Sequence, residues 1–261
     1  MKRTKLGPVA VSCTVIAGLG SLATGATPVH ATNGGQLSLS LCSPSQTFKQ
    51  DRNGPVIDNR YSPFVPGSSM FYSDGMGNST TVSVAATSER PAVFTFSGGV
   101  KVETRRVQEL DQNADGTHEV SQNWYAQTTA GTVCYFGEVE TDFDAGGHVI
   151  PPNPAQGSWC SAPSGPCTAA TTGPNFAPGI VMPANPQVGQ KFQEEFAPGV
   201  AEDEGEIVGI DSTDTINGVT YSNVIRMLEG DDLSSGQGHT DTKLFAPNVG
   251  AIRDETLLLV P

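Results

Sequence analysis

Three carboxylates stand where the neighbouring residue types suit chemistry: Glu138, Glu194 and Glu202. Glu138 ends the segment 123–138, which gathers Trp124, Tyr125, Tyr135 and Phe136 beside one acid and one cysteine, Cys134. Aromatic faces next to a carboxylate fit a small apolar or glycan ligand, the rings covering its carbon skeleton while the acid accepts from its hydroxyls. Glu194 lies two residues from Phe192 and from Phe196, so an extended strand would put all three on one face and Glu195 on the other. An acid on an apolar face either has a partner or keeps its proton. Glu202 follows the turn 197–200, and with the other two it makes an acid–base set of the kind an extracellular hydrolase or lyase uses on a polysaccharide. The competing reading of these acids is a solvated strand edge that discourages aggregation.

Asp111, Asn113 and Asp115, in the order D-Q-N-A-D-G, match the head of a calcium loop, in which alternate oxygens converge and Gly116 allows the sharp turn. The twelfth position is Gln122 and not a bidentate glutamate, and a hairpin turn capped by its own Asp and Asn side chains explains the motif as well. Calcium is thus the one cofactor the sequence admits, in a calcium-stabilised surface or adhesion module. His118, His148 and His239 show no metal spacing, and no G-x-S-x-G elbow, P-loop or dinucleotide fingerprint occurs. Asn78-Ser79-Thr80 is a glycosylation sequon.

These residues must be positioned by strands. Short runs with β-branched or aromatic content, among them 80–86, 92–96, 100–110, 118–127, 132–138, 191–196, 206–210, 219–228, 243–246 and 251–260, are separated by Gly, Pro, Asn or Asp. Asp74-Gly75, Asp115-Gly116, Asn217-Gly218 and Glu229-Gly230 fall between them as hairpin turns. No sustained helical apolar stripe is present, so the fold class is all-β: a single antiparallel β-barrel-like or sandwich domain. Residues 60–261 form that domain, preceded by an arm at 32–59 that is partly disordered. Nine prolines between 151 and 186 mark residues 146–189 as a long ordered excursion without regular structure. Strand alternation would set Cys134, Phe136 and Glu138 on one face, against Tyr135 on the other.

The first residues, with Lys2, Arg3 and Lys5, an apolar run over 9–26 and Val29-His30-Ala31, read as a signal peptide over 1–31, hence a secreted protein with no stable membrane insertion. Its loss would take the formal charge from −13 to −16, a field that repels nucleic acid and anionic lipid. Cys42, Cys134, Cys160 and Cys167 remain, an even number suited to two disulfides. Cys160 and Cys167 bracket a turn-rich segment and pair most cheaply, which leaves Cys42 for Cys134.

From the aromatic segment onward the chain resembles a group of secreted bacterial proteins with the pattern D-W-Y-A-Q-D, W-Y-F-G-E, G-S-W, P-G-I-x-M-P-A, Q-E, A-E-D and A-P-x-V-G. Here it reads Asn123-Trp124-Tyr125-Ala126-Gln127, Tyr135-Phe136-Gly137-Glu138, Gly157-Ser158-Trp159, Pro178-Gly179-Ile180-Val181-Met182-Pro183, Gln193-Glu194, Ala201-Glu202-Asp203 and Ala246-Pro247-Asn248-Val249-Gly250. Cys134 stands where the group has tryptophan, which suggests a disulfide recruited there, and Asn123 stands where it has an acid. The resemblance implies a secreted all-β fold and supplies no reaction.

Overall fold

Alternating β-branched and polar residues between turn-forming pairs build strands almost throughout. The computed structural model describes residues 34–167, 169–231, 233 and 240–261, so the expected signal peptide and His239 lie outside the described residues. The strands are β1 (Gln50–Asp51), β2 (Gly54–Pro55), β3 (Ser69–Ser73), β4 (Ser79–Val84), β5 (Ala92–Thr95), β6 (Lys101–Gln112), β7 (His118–Gln127), β8 (Val133–Phe143), β9 (Trp159–Cys160), β10 (Thr171–Thr172), β11 (Gly179–Met182), β12 (Lys191–Gln193), β13 (Glu204–Ile216), β14 (Val219–Gly230), β15 (Thr240–Ala246), β16 (Gly250–Asp254) and β17 (Leu257–Val260). The all-β expectation holds. Between β13 and β14 the central pair Asn217 (φ 48°) and Gly218 (φ 82°) both take the left-handed backbone that a tight hairpin requires.

Apart from the small β1–β2 hairpin, the strands form one sheet with the order β10-β9-β8-β7-β6-β4-β3-β17-β16-β15-β14-β13-β12. Its two ends approach each other. β11 pairs antiparallel with the start of β8, while Gly137 and Glu138 further along β8 pair with β9. At the far end the chain leaving β12 meets Ala177, just before β11: the Ala177 N–H donates to the Phe196 carbonyl at 3.0 Å. A sheet that meets itself is barrel-like, and closure removes the edges at which other chains would pair. Gly179 makes the joint possible, because a Cβ there would sit 1.8 Å from the Glu194 carbonyl oxygen.

The excursion at 146–189 differs from its expected irregular form, since it supplies β9, β10 and β11. Its prolines fall outside these short strands. The arm also differs: residues 34–59 pack on the barrel, with Cys42 and Ile57 buried, and the described residues form one compact unit. The Lys49 N–H donates to the Gln127 carbonyl, and Asn59 reaches the Gly131 and Pro183 carbonyls at 2.9 and 3.2 Å. The Asn248 N–H donates to the Arg60 carbonyl. Those partners lie at one end of the barrel, which residues 49–60 cover, while the start of the arm runs beside β12, with the Leu37 N–H donating to the Lys191 carbonyl at 2.7 Å. Cys42–Cys134 ties the arm to β8 and Cys160–Cys167 staples the excursion, as the spacing predicted.

A bulge reverses one expectation about the hairpin of β7 and β8. Asn123 pairs with Glu138 and Tyr125 with Tyr135, the register shifting between Trp124 and Tyr125. Cross-strand partners share a face, so Glu138 joins Tyr135 and not Phe136. Gly137 (φ 152°) absorbs the shift where a Cβ would stand 2.7 Å from the Trp159 carbonyl oxygen.

The closure predicts a contrast between two glycines. Gly179→Ala should lower unfolding free energy by about 3 kcal/mol or more, a size reserved for clashes in the core. Gly35→Ala, with nothing within 4 Å of the added methyl, should stay within about 0.5 kcal/mol. Urea titration of both variants measures the difference.

Candidate functional site

The residues facing the barrel interior arrange as two walls. On the first, an aromatic ladder runs from the arm to the joint of the sheet. Phe64 stacks on Tyr125 and Tyr125 on Tyr135, each pair with centroids 4.7 Å apart, and Trp159 meets Tyr135 edge-on at 5.3 Å. The Trp159 Nε1–H then donates to Glu195 Oε1 at 3.1 Å. Tyr135 donates its hydroxyl to Asn123 Oδ1, and Asn123 Nδ2 donates to Ser121 Oγ at 2.9 Å. Burial raises the pKa of Tyr125 and Tyr135 well above the usual phenol value; Glu109 and Glu138 add to it for Tyr125, and Glu138 leads the charges acting on Tyr135. Both remain neutral. Glu138 lies on this wall, half-buried, between its cross-strand partners Asn123 and Trp159.

The second wall carries charge. The N–H groups of Glu194 and Glu195 both donate to the Asp203 carbonyl, at 2.7 and 3.2 Å. Two residues against one is the pattern of a bulge, and it explains why both neighbouring acids are buried, at 7% and 8% exposure. Glu194 lies beside Glu229, with Gly205 between them and Glu194 Oε1 without a hydrogen-bond partner; Glu229 forms an ion pair with Lys243, and Lys243 stands 3.5 Å from Asp254. Register puts Ile207, Met227, Lys243 and Asp254 in one lane across four strands, and Gly205, Glu229 and Asp241 in the next. Gly205 leaves space for both neighbours on β12: a Cβ there would lie 2.6 Å from the Phe192 ring and 2.8 Å from Glu194 Oε1.

The electrostatics follow from burial and proximity. Burial, then the charge of Glu229, holds the Glu194 pKa well above the usual carboxylate range. Burial also raises Asp254, with Lys243 opposing. Burial works against the charge of Lys243, but Asp254, Glu229 and Glu194 together raise its pKa well above the usual value. Lys243 is therefore a fixed cation, while burial beside Glu229 favours the protonated form of Glu194.

The predicted site residues separate into groups. Tyr125, Tyr135 and Glu138 share the aromatic wall, and Glu194 lies beside Phe192 on the charged one. Trp124 and Phe136 belong to the other side of the sheet, where they pack with Phe94 at 6.2 and 5.4 Å and Phe48 meets Phe136 at 5.6 Å. They are core, not ligand contacts. Glu202 is exposed and accepts the Gly199 N–H at 2.9 Å, so its side chain caps its own turn. Asp111, Asn113 and Asp115 serve separate partners: Asp111 accepts from Thr80, Asn113 donates to Thr117 Oγ1, and Asp115 accepts the Thr117 N–H and hydroxyl. The sequon residue Asn78 is likewise engaged, donating to Asp74 and accepting the Ala114 N–H.

Lys243, Glu229, Asp254, Glu195 and Trp159 were not singled out as site residues. For Glu229 a signal existed, because Ile225, Met227 and Glu229 alternate along one strand in the same way as Phe192 and Glu194. Lys243 and Phe245 repeat it. Comparison with protein-family models, curated proteins and solved structures found no match. The site therefore rests on its own geometry.

Two outcomes are expected. Lys243→Met should cost about 1–2 kcal/mol of stability near neutral pH, less than removal of one partner of a fully buried pair, because Lys243 and Glu229 keep 24% and 18% of their side-chain surface exposed. The loss should shrink in acid, where carboxyl groups take up protons and no longer repel; urea unfolding near neutral pH and in acid measures it. Because Asp111 Oδ1 accepts from Thr80, Asp115 Oδ1 accepts from Thr117 and Asn113 is turned to Thr117, the melting temperature should be the same in calcium, in magnesium and in excess chelator.

Proposed function

We propose that the chain is a secreted binding protein whose barrel interior takes a small hydroxyl-bearing ligand of the glycan class. The observation that carries this reading is the shared wall of Tyr125, Tyr135 and Trp159 with Glu138 and Glu195 beside it. The rings are stacked on one another and buried, so they form a rigid floor, and half-buried Glu138 beside them supplies the acceptor for a ligand's hydroxyls. The charged second wall disfavours a wholly apolar ligand, since desolvating Lys243 and its acids against hydrocarbon has no compensation.

Secretion is supported by two disulfides, which form and persist in oxidising compartments. Among the described residues no helix is long and apolar enough to cross a membrane. The outward residues of β4 and β6, including Ser79, Ser83, Gln108 and Gln112, do not make the apolar band of a lipid-facing barrel. The acidity that would repel nucleic acid belongs to the whole chain.

A second reading has one specific observation in its favour. Glu194 keeps a proton beside Glu229 and Lys243, the asymmetry that general acid catalysis requires in an extracellular hydrolase or lyase.

Calorimetric titration with neutral oligosaccharides tests the first reading. Glu138→Gln should weaken binding roughly tenfold, the loss of one good hydrogen bond to a charged acceptor, and Glu202→Gln should leave it unchanged. Failure of every neutral oligosaccharide to bind, with uptake of an apolar fluorescent probe instead, would overturn it. If product forms during the titration and Glu138→Gln abolishes turnover while affinity holds, the enzymatic reading replaces it.

A further inference from the structure

The two ends of the sheet meet along a seam, with β9 and β11 on one side and residues 194–197 on the other. Ala177 N–H to Phe196 carbonyl (3.0 Å) and Trp159 Nε1–H to Glu195 Oε1 (3.1 Å) cross it, and the Gly179 backbone presses against the Glu194 carbonyl. Elsewhere neighbouring strands are joined by regular ladders, as β13 and β14 are from Glu204–Gly230 to Ile216–Val219. Where β12 ends, its ladder with β13 gives way to the shared Asp203 carbonyl. Toward the start of β12 the arm bridges the seam, with the Leu37 N–H donating to the Lys191 carbonyl at 2.7 Å and Cys42 bonded to Cys134 on β8. Past the end of β12 the seam is held by few bonds, and two of them involve the residues immediately after Glu194.

We propose that this seam is a proton-sensitive gate, closed while buried Glu194 carries a proton beside Glu229 and loosened once both are ionised. The groups facing Glu194 are Asp203 from the turn before β13, Glu229 from β14, Lys243 from β15 and Asp254 beyond Lys243 on β16. Asp241 stands opposite Glu229, and Glu195 is the chain neighbour. Lys243 supplies positive charge, but it is engaged by Glu229 and Asp254 and does not replace the proton on Glu194. When that proton leaves, two anions lie side by side away from water. The side chain free to yield is Glu194, because it sits on the short irregular segment, whereas Glu229 is fixed in the long ladder of β14. Displacing Glu194 moves residues 195 and 196 with it, and both seam bonds stretch.

The direction of the pH effect follows. Glu194 is raised above its unfolded value, so the closed seam binds the proton more tightly than the open one. Closure is fully favoured below the ordinary glutamate range and is lost as pH rises through the raised value, tenfold in the opening equilibrium for each unit of the shift.

Hydrogen–deuterium exchange read by mass spectrometry, corrected for intrinsic rates, tests this on the intact chain. Peptides covering 175–180 and 194–198 should lose at least about tenfold protection between about pH 5 and about pH 8.5, while a peptide within β7 keeps its own. Glu194→Gln should flatten the response, since a neutral amide places no charge beside Glu229 at either pH. Glu229→Gln should do the same from the other side of the pair, and it carries the test if Glu194→Gln does not fold. Glu195→Gln should reduce protection at both pH values and leave the pH response intact. Equal protection of the wild-type seam at both pH values, or an undiminished response in Glu194→Gln, would overturn the proposal.

Discussion

Closure of one long sheet on itself is the constraint from which the rest of this structure follows. An open sheet of this length would expose two rows of unpaired N–H and C=O groups. The protein satisfies them without a regular final ladder. The edge of β8 is divided between β11 and β9, and the chain after β12 bends inward to reach Ala177. That arrangement tolerates no side chain at Gly179 and depends on two bulges, one at Gly137 and one at Glu194–Glu195. The interior walls exist only because those irregularities let the ends meet.

The interior that closure creates is costly to fill with charge. A lysine and its surrounding acids lose hydration, and their mutual attraction recovers this only when the geometry is good. Apolar side chains of similar volume would serve stability as well. Phe192, Ile207, Met227 and Ile225, all buried, show that the same strands supply apolar residues where packing is all that is required. Lys243, Glu229 and Glu194 therefore mark a part of the barrel shaped by something besides stability. The aromatic ladder opposite them has a complementary character, since its neutral phenols and stacked rings are rigid and bring no charge of their own.

What the sequence revealed, and what it did not, divides along local and non-local causes. Asn217-Gly218 is a turn for reasons contained in two residues, and the pairing of Cys160 with Cys167 follows from a short intervening loop. Glu194 beside Phe192 is plain alternation, which needs only an extended backbone. Alternation failed at Glu138 because the bulge at Gly137 depends on how close the Trp159 carbonyl and the Cys167 sulfur approach, contacts across more than twenty residues. It failed for Glu195 as well, which turns inward because Asp203 accepts two bonds. The D-Q-N-A-D-G run looked like a metal loop because metal loops and self-capped turns place oxygens at the same spacing; which partners those oxygens take is decided by Thr80 and Thr117.

Both failures of alternation converge on the excursion. Trp159 touches the first bulge with its backbone, against Gly137, and the second with its side chain, through Glu195. It can do both because Cys160 is bonded to Cys167, whose sulfur also packs against Gly137. The short disulfide, the glycine and the tryptophan thus act as one unit that sets Glu138 on the aromatic wall and holds Glu195 at the seam. A proline-rich stretch that looks like a loop in the sequence is, physically, the part that determines which acids face the interior.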